Sequence, residues 1–568
     1  MTAIGIDFGT TNSVVGAHGA GGIDVLPIDS PSAEWANLGF DKVLPSVIGV
    51  GVDSEATFGW RAKAQAANKL EAVKRLFATE DTVSFGGAEY SVEMAAALLF
   101  ARLKQGAEAA GVPVERAVVT VPANSRGLAR FRTKLCAGLA GIDVAALINE
   151  PTAAAMAHSI SASDDQNILV FDWGGGTLDV TVLETVAGVF IERASKGIQR
   201  SGGLDLDNLL GAAVLRDIPG HESWNEAERG RFRLEIERAK VLLSSQETTN
   251  VELPRGGYHE IRRAVLEAAI RAKVEETRGP IDQCLQDLRI SGKDIDHLVL
   301  VGGTSKIPAV RRFVSEVLGK EPATGVDPMT AVAEGAAVAA AILAGELDAD
   351  FFVATEHALG TISNNDMDVP EFSVLIGRNH KLPAKAEGYY RPLHQGQPSV
   401  LVRVIEGDPG VALDHPDNVI LKEWTVEVDG SRPQEESGFT IAYEYDVDGI
   451  LHVTVTDDKT GAVMLRDDLS FGVSRDKTGL VDLARSVQAT MSGATLDAPA
   501  AATAVATVDA VSQQVIERVR TKIVPFVDDD EAQRLEAMCV DLENAAGADA
   551  DACRSALESE ARKYAYLF

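Results

Sequence analysis

The chain has 568 residues, 46% of them hydrophobic, so it is long enough for roughly three or four domains with apolar cores. Its net charge of −31 argues against nonspecific binding to nucleic acid or anionic lipid, because phosphate groups attract basic surfaces. The four cysteines lack metal-site spacing and are too few for a disulfide framework. With no basic, apolar leader and no membrane-length apolar run, we expect a cytoplasmic protein without nucleic-acid or membrane partners.

Two segments repeat one design, in which an apolar strand ends in an acid and a glycine turn and a second apolar run follows. The first is AIGIDFGTTNSVVGA at residues 3–17, and the second is ILVFDWGGGTLDV at residues 168–180. Apolar, β-branched runs on both sides of a glycine turn predict an antiparallel hairpin. Glycine lets the backbone approach a bulky group and direct several N–H groups at it, which suits a phosphate.

Taken alone, a glycine hairpin is more often an acidic loop than a ligand site. The repetition, with a third glycine turn in HLVLVGGTSKIP at residues 297–308, favours two related halves around one nucleotide. None of these turns has the G-x-x-x-x-G-K-[ST] spacing or opens a βαβ unit with G-x-G-x-x-G. The P-loop and Rossmann interpretations therefore lose support.

Strands alternate with helical segments up to about residue 347, which predicts an α/β domain. Short alternating strands with polar turns follow, among them PSVLVRVIEG, FTIAYEYD and ILHVTVTDD, and predict an all-β domain that we interpret as a sandwich. An Ala- and Pro-rich stretch at about residues 492–507 is typical of a linker, and three helical segments follow it.

These segments resemble Hsp70-type molecular chaperones of the actin-like ATPase superfamily, and the bacterial, DnaK-like type fits best. The resemblance rests on IGIDFGTTNS, INEPTAAAMAHS, VFDWGGGTLDVTVLE, LVLVGGTSKIPAV and AVAEGAAVAAAIL, and it reaches the β domain in GFTIAYEYDVDGILHVTVTD. It covers about residues 1–472, and INEPTAAA separates Hsp70-like proteins from sugar kinases and actin. The C-terminal helices match in type rather than in sequence.

The resemblance implies a multidomain architecture with an α/β actin-like (ribonuclease H-like) ATPase domain, a β-sandwich and a short helical segment. We expect the ATPase domain over residues 1–347, an interdomain linker over 348–354, a substrate-binding sandwich over 355–472, and a linker with a reduced helical lid over 473–568. The implied activity is Mg²⁺-dependent hydrolysis of ATP to ADP, coupled to binding of exposed apolar polypeptide in protein folding and the stress response. The implied partners are unfolded polypeptide, a J-domain cochaperone and a nucleotide exchange factor, with the chain itself a monomer.

The resemblance also assigns the nucleotide site. The residues matching catalytic positions of the family are Lys74, Glu150, Asp172 and Thr177. Three acids, Asp7, Glu150 and Asp172, match the acids around Mg²⁺ and would act through water. The residues matching nucleotide contacts are Gly9, Thr10, Thr11, Asn12, Gly174, Gly175, Gly176, Gly202, Gly203, Glu237, Lys240, Ser244, Gly302, Gly303 and Lys306. Without the resemblance, Lys74 would be an ordinary exposed lysine, and Glu237, Lys240 and Ser244 an ordinary polar helix face.

Two further sets follow from the resemblance. Pro122, Arg130 and Lys134 match residues that relay the nucleotide state to the β domain. Tyr390, Leu393, Val400 and Val402 match the apolar groove that holds an extended peptide. For Val400 and Val402 a place in the sandwich core is an equally good interpretation.

Several positions depart from the family pattern. The linker reads Asp350-Phe351-Phe352-Val353 and lacks the family's aspartate after a leucine run, so coupling between the domains is open to change. Lys306 replaces a frequent arginine, Leu204 replaces the first acid of a GGED motif, and Met329 replaces the acid after the last nucleotide strand. The alternative function is an Hsp70-like exchange factor or holdase with little hydrolysis, while a small-molecule kinase has no use for the β domain.

Overall fold

The computed structural model describes residues 2–561, apart from residues 20, 52, 66–67, 124, 126, 160–164, 187–188, 348–349, 352–354, 356, 366, 368, 379, 416–417, 447–449, 470–476, 494, 497–511, 513–514, 517–518, 521–528 and 546–547. The chain divides into two compact units, residues 1–496 and 497–568. None of the described helices combines the length and the apolar composition that a membrane crossing requires.

The first part of the larger unit is mixed α/β, as predicted. Its strands are β1 (Ala3–Phe8), β2 (Asn12–Gly19), β3 (Gly22–Val25), β4 (Leu44–Pro45), β5 (Val47–Val50), β6 (Ala56–Phe58), β7 (Lys69–Glu71), β8 (Thr82–Phe85), β9 (Ala88–Ser91), β10 (Arg116–Val121), β11 (Asp143–Asn149), β12 (Gln166–Trp173), β13 (Leu178–Val186), β14 (Val189–Ile198), β15 (Thr248–Glu252), β16 (Tyr258–Arg262), β17 (His297–Val301) and β18 (Asp350–Phe351). Its helices are α1 (Ala33–Trp35), α2 (Gly59–Lys63), α3 (Val92–Ala109), α4 (Gly127–Leu139), α5 (Glu150–Ser159), α6 (Gly203–Leu215), α7 (Glu226–Leu243), α8 (Arg263–Glu276), α9 (Arg278–Leu288), α10 (Pro308–Leu318) and α11 (Ala331–Leu343). Short 3-10 turns lie at Val73–Leu76, His221–Ser223, Gly292–Asp294 and Gly303–Lys306, and a π-helical turn lies at Ala36–Phe40.

Two sheets of related design carry the two predicted hairpins. One sheet has the order β11-β10-β1-β2-β3, with β4 also paired to β2, and the other has the order β17-β12-β13-β14-β18. In each sheet the glycine turn joins an antiparallel pair, β1 with β2 and β12 with β13. The first strand of each pair also has a parallel neighbour, which is β10 for β1 and β17 for β12. The prediction of two similar hairpins is therefore confirmed. The small-residue face of α11 packs between the sheets, where a Cβ on Gly5 would lie 2.1 Å from the Ala337 nitrogen.

The all-β region is a sandwich of two antiparallel four-stranded sheets, with orders β20-β19-β22-β23 and β21-β24-β25-β26. Its strands are β19 (Ala358–Asn364), β20 (Pro370–Ile376), β21 (Ala384–Tyr390), β22 (Ser399–Gly407), β23 (Val419–Glu427), β24 (Phe439–Tyr445), β25 (Leu451–Asp457) and β26 (Val463–Asp468), with a 3-10 turn at Gln434–Glu436. Alternating apolar residues from both sheets form one core. Tyr443 is fully buried there and donates to the Gly360 carbonyl at 2.8 Å.

A helix after the sandwich, α12 (Lys477–Met491), packs on α3 and α4 of the α/β region rather than on the sandwich. Val487 is 1% exposed and joins the core formed around α3. Beyond the helix, Leu496 donates its N–H to the Ser54 carbonyl at 2.9 Å and accepts from the Tyr90 hydroxyl at 3.0 Å. The first residues of the stretch predicted as a linker are thus fixed to the α/β region.

The C-terminal unit has a small helical core of its own. Helices α13 (Asp529–Asn544) and α14 (Ala548–Ala561) pack together through a buried set that includes Leu535, Cys539, Leu542 and Leu557. Both match predicted helices. The first of the three predicted helical segments, residues 511–527, falls largely outside the described residues.

Candidate nucleotide site and peptide groove

Three carboxylates and one lysine meet where the two sheets face each other. Asp7 lies near the end of β1, Asp172 near the end of β12, and Glu150 at the start of α5, and all three line one small cavity with Lys74. Burial and then the charge of Glu150 raise the pKa of Asp7 to about 7. The same two causes, in the same order, raise the pKa of Asp172 well above its usual range. Carboxylates gathered in a desolvated position favour a cation beside them.

Lys74 reaches this cluster from the 3-10 turn Val73–Leu76. The turn follows Ala72, whose φ of 57° is unusual for a residue with a side chain. The Lys74 Nζ donates to the Phe8 carbonyl and to Glu150 Oε1, both at 2.6 Å, and only 8% of the side chain is exposed. Its charge lowers the pKa of both Asp7 and Asp172. This lysine is therefore part of the charge cluster and not a solvated surface residue.

The glycine turns bring the two hairpins into close contact. A Cβ on Gly175 would lie 2.3 Å from Thr11 Cγ2, and one on Gly202 would lie 2.4 Å from the Gly175 carbonyl carbon. The carbonyls of Gly174 and Gly175 accept from the N–H groups of Gly203 and Leu204 at 2.9 and 3.1 Å. With these carbonyls engaged, the N–H groups of the turn are its donors for an anion.

The remaining residues predicted for phosphate contact lie in the same place. Gly9, Thr10, Thr11, Asn12, Gly174, Gly175, Gly176, Gly302 and Gly303 line the small cavity with the carboxylates, and Pro122 lies there too. Thr177 lies at the end of the turn and donates to Asp179 Oδ2 at 3.2 Å. The Asn12 side-chain oxygen is buried and has no hydrogen-bond partner among the described residues, which indicates space for a polar ligand.

An adjoining cavity of about 380 Å³ has the size of a site for the rest of a nucleotide. It is lined by Gly203, Glu237, Lys240, Ser244, Gly303 and Lys306, all of them predicted, and by Met329. Glu237 and Lys240 do not pair with each other. Instead, Glu237 accepts from Lys63 at 2.6 Å, Lys240 lies 2.8 Å from Asp207, and Lys306 lies 2.9 Å from Asp327.

Sequence reasoning missed three charged residues at this site. Lys63 joins α2 to Glu237 on α7, Asp207 pairs with Lys240, and Arg75 donates to the Gly176 carbonyl at 2.6 Å and to Asp205 Oδ2 at 2.7 Å. Two of these, Lys63 and Arg75, connect the part of the chain before α3 to the part after β13. Nothing in the local sequence marks Lys63 or Arg75, because the partners of these two residues are more than one hundred residues away.

The donor set fits Mg²⁺ bound through water. Within the described part of the chain, no group of three or more Asp, Glu, His or Cys side chains is close enough to hold a metal ion directly. Mg²⁺ keeps several of its waters in most protein sites, so separated carboxylates around a polar cavity suit it.

Of the predicted relay residues, Pro122 lines the small cavity with the carboxylates, and Arg130 lies near residues of the β region. Arg130 is 4% exposed and donates to Asn149 Oδ1 at 2.8 Å, next to Glu150. It also lines a small cavity with Thr355 and Glu406 from the β region. Lys134 is half-buried one turn along α4. Arg130 therefore bonds the residue before Glu150 and borders a cavity that residues of the β region also line.

Two residues of the segment predicted as the interdomain linker pair with a strand of the α/β region. Asp350 and Phe351 form β18, which pairs in parallel with Val189 and Phe190 of β14. The rest of the predicted apolar segment, Phe352 and Val353, lies outside the described residues. The same strand β14 accepts a hydrogen bond from the sandwich, because Arg378 Nη2 donates to the Ser195 carbonyl at 2.8 Å.

The predicted peptide groove is an open cavity of about 1440 Å³ on the sandwich. Tyr390, Leu393, Val400 and Val402 all line it. Val400 and Val402 are also members of the sandwich core, at 7% and 1% exposure, which confirms the core interpretation, while their contact with a peptide stays a prediction. Tyr390 is fixed by a hydrogen bond between its hydroxyl and that of Ser373 at 2.9 Å.

Comparison with known proteins agrees with this geometry. The family model described as "Hsp70 protein" matches residues 3–566. This chain belongs to the Hsp70 family. It is 36% identical to the chaperone protein DnaK of Cenarchaeum symbiosum (strain A) over 475 residues, which cover 80% of this chain and 71% of the relative.

Two other Hsp70 relatives have the same level of similarity. The chaperone protein DnaK of Nitrosopumilus maritimus (strain SCM1) is 34% identical over 80% of this chain and 73% of its own length. The chaperone protein DnaK of Methanothermobacter thermautotrophicus is 34% identical over 81% of this chain and 78% of its own length. As an Hsp70, the chain is an ATP-hydrolysing molecular chaperone for unfolded polypeptides.

Proposed function

We propose that ATP hydrolysis between the two glycine hairpins controls how tightly the β-sandwich groove holds apolar segments of unfolded polypeptide. The observation that carries the proposal is the meeting of Lys74, Asp7, Glu150 and Asp172 in one cavity beside the glycine turns. Phosphoryl transfer to water requires positioning and charge neutralisation more than covalent chemistry, and this cluster supplies both kinds of group.

Each group has a distinct role in this proposal. Asp7, Glu150 and Asp172 would hold Mg²⁺ through its waters, and the ion would supply charge neutralisation at the phosphates. Lys74 places its positive charge beside the transferring phosphoryl group and the attacking water, while Thr177 supports the phosphate turn. The N–H groups of the two hairpins hold the phosphates, and Glu237, Lys240, Ser244 and Lys306 surround the adenosine.

The docked linker and the Arg130 contacts support communication between the sites. The proposed domains are residues 1–347 for the ATPase, 348–354 for the linker, 355–472 for the sandwich and 473–568 for the reduced lid region. We further propose that the protein is a cytoplasmic monomer and that it acts together with a J-domain cochaperone and a nucleotide exchange factor.

We expect the full chain to bind ATP and ADP, but not GTP, in isothermal titration calorimetry with Mg²⁺. Gly175→Val should abolish this binding, because its Cβ would overlap Thr11. Gly138→Val is the matched control, since a Cβ at Gly138 meets nothing within 4 Å. Binding of GTP without ATP would make the adenosine assignment wrong, and undiminished ATP binding by Gly175→Val would place the phosphates elsewhere.

A further inference from the structure

One face of strand β22 packs in the sandwich core, and the other face is partly exposed and contains Arg403. Val400 and Val402 lie in the sandwich core, whereas their neighbour Leu401 is 39% exposed and the Arg403 side chain is 25% exposed. Leu401 and Arg403 both line the peptide groove. The groove wall is thus not uniformly apolar.

Arg403 has hydrogen-bonding capacity to spare. Its Nε donates to Glu423 Oε2 on the adjacent strand β23, directly opposite in register. Its two terminal nitrogens make no hydrogen bond to any of the residues that the structure describes. A guanidinium carries five N–H donors, so four remain for water or a ligand.

Several other polar groups that line the groove are already engaged, whereas Arg391, a second arginine of the groove, is exposed. The Tyr390 hydroxyl bonds that of Ser373, and the acids of the opposite wall, Glu436 and Asp458, accept from Lys459 and Thr440. A third acid, Glu435, is exposed at the start of the same wall. Three large apolar side chains line the same groove, Tyr389, Leu393 and Leu401, which are 77%, 50% and 39% exposed.

A peptide that fills the groove would remove water from Arg403. An apolar side chain placed against it would leave buried N–H donors unsatisfied, which is costly, whereas a carboxylate or carboxamide would satisfy them. We infer that the groove selects extended segments in which apolar residues flank one acceptor-bearing residue, Asp, Asn, Glu or Gln, that bonds Arg403. This inference rests on the proposed role of the groove as the peptide site.

The test uses three labelled nine-residue peptides that differ only at the central position, Leu, Asn or Asp, with alanine and leucine on either side. Leu and Asn have nearly the same shape, so their comparison isolates hydrogen bonding. Fluorescence anisotropy on the full chain with ADP should show the Asn and Asp peptides binding about tenfold more tightly than the Leu peptide.

Arg403→Leu should reverse this order, with tighter binding of the Leu peptide, and that gain also shows that the variant is folded. Arg466→Leu removes an exposed arginine on β26 outside the groove and should keep the original order. Tightest binding of the Leu peptide to the unmodified chain, or an unchanged order in Arg403→Leu, would overturn the inference. Failure of all three peptides to bind would instead contradict the proposed peptide site itself.

Discussion

Replacing Lys74 with alanine should lower the steady-state ATPase rate by about a hundredfold or more, while the affinity for ATP changes only a few-fold. The Lys74 ammonium lies against Glu150 and the Phe8 carbonyl, inside the cavity where the phosphates are proposed to bind. The positive charge of Lys74 should stabilise the transition state more than bound ATP, because negative charge shifts between the phosphate oxygens as the γ-phosphoryl group is transferred. Its loss also removes the group that lowers the pKa of Asp7 and Asp172, so protons compete better for those carboxylates.

Thr177→Ala should act in the same direction, because Thr177 ties the phosphate turn to Asp179. Lys293→Ala, at an exposed position on a 3-10 turn, is the matched control and should retain full activity. Turnover measured by phosphate release and ATP affinity measured by calorimetry distinguish a catalytic role of Lys74 from a structural one. If Lys74→Ala loses binding and turnover to the same extent, Lys74 has a structural role and the catalytic assignment is wrong.

Phe351→Asp should uncouple the two sites without weakening ATP binding. Phe351 belongs to the linker strand β18 and pairs with Phe190, a buried residue of β14. A charge introduced at position 351 should oppose the pairing of β18 with β14, because an ion placed beside the buried Phe190 is costly to desolvate. Because a ligand can shift an equilibrium only by its differential affinity for two states, a linker that no longer docks cannot transmit the effect of ATP.

The expected readout is peptide affinity in ATP and in ADP, measured by fluorescence anisotropy. In Phe351→Asp the two affinities should become equal, and adding Phe352→Asp should change nothing further. Val463→Asp, at a 52% exposed site on β26, adds the same charge elsewhere and should leave the ATP effect intact. A full ATP effect in Phe351→Asp would show that coupling does not pass through the docked linker.

Hydrogen bonds of Asn149 and Glu192 connect the proposed phosphate site to β14. Asn149, next to Glu150, accepts from Arg130 and donates to Glu192 of β14 at 2.9 Å. Glu192 is buried, and desolvation raises its pKa despite the hydrogen bonds from Asn149 and Thr152. A short chain of polar contacts therefore joins the acid at the phosphate site to the strand that holds the linker.

The sequence predicts the hairpins and their acids because local patterns determine them. An apolar strand, an acid and a glycine turn occupy consecutive positions, and the pattern repeats. The residues that sequence reasoning missed depend on contacts between distant segments. Lys63 with Glu237, Arg75 with Gly176, and the Tyr90 contact with Leu496 have no local signal.

The groove shows a second limit of sequence reasoning. The run VLVRVI in β22 has apolar residues on both faces, so its period does not say which face packs in the sandwich core. Pairing with β23 and burial in the sandwich core decide it, and they leave Leu401 and Arg403 on the more exposed face. The placement of α12 on α3 could not be predicted either, because the two helices are far apart in the sequence.

The central claim, that nucleotide controls peptide binding, is tested most directly by the affinity of one labelled, extended peptide for the unmodified chain in ATP and in ADP. The peptide should bind markedly more weakly in ATP, by about tenfold, for a coupling free energy of the usual size. Identical affinity in the two nucleotides would contradict the account and would favour an Hsp70-like holdase or exchange factor whose groove does not respond to ATP.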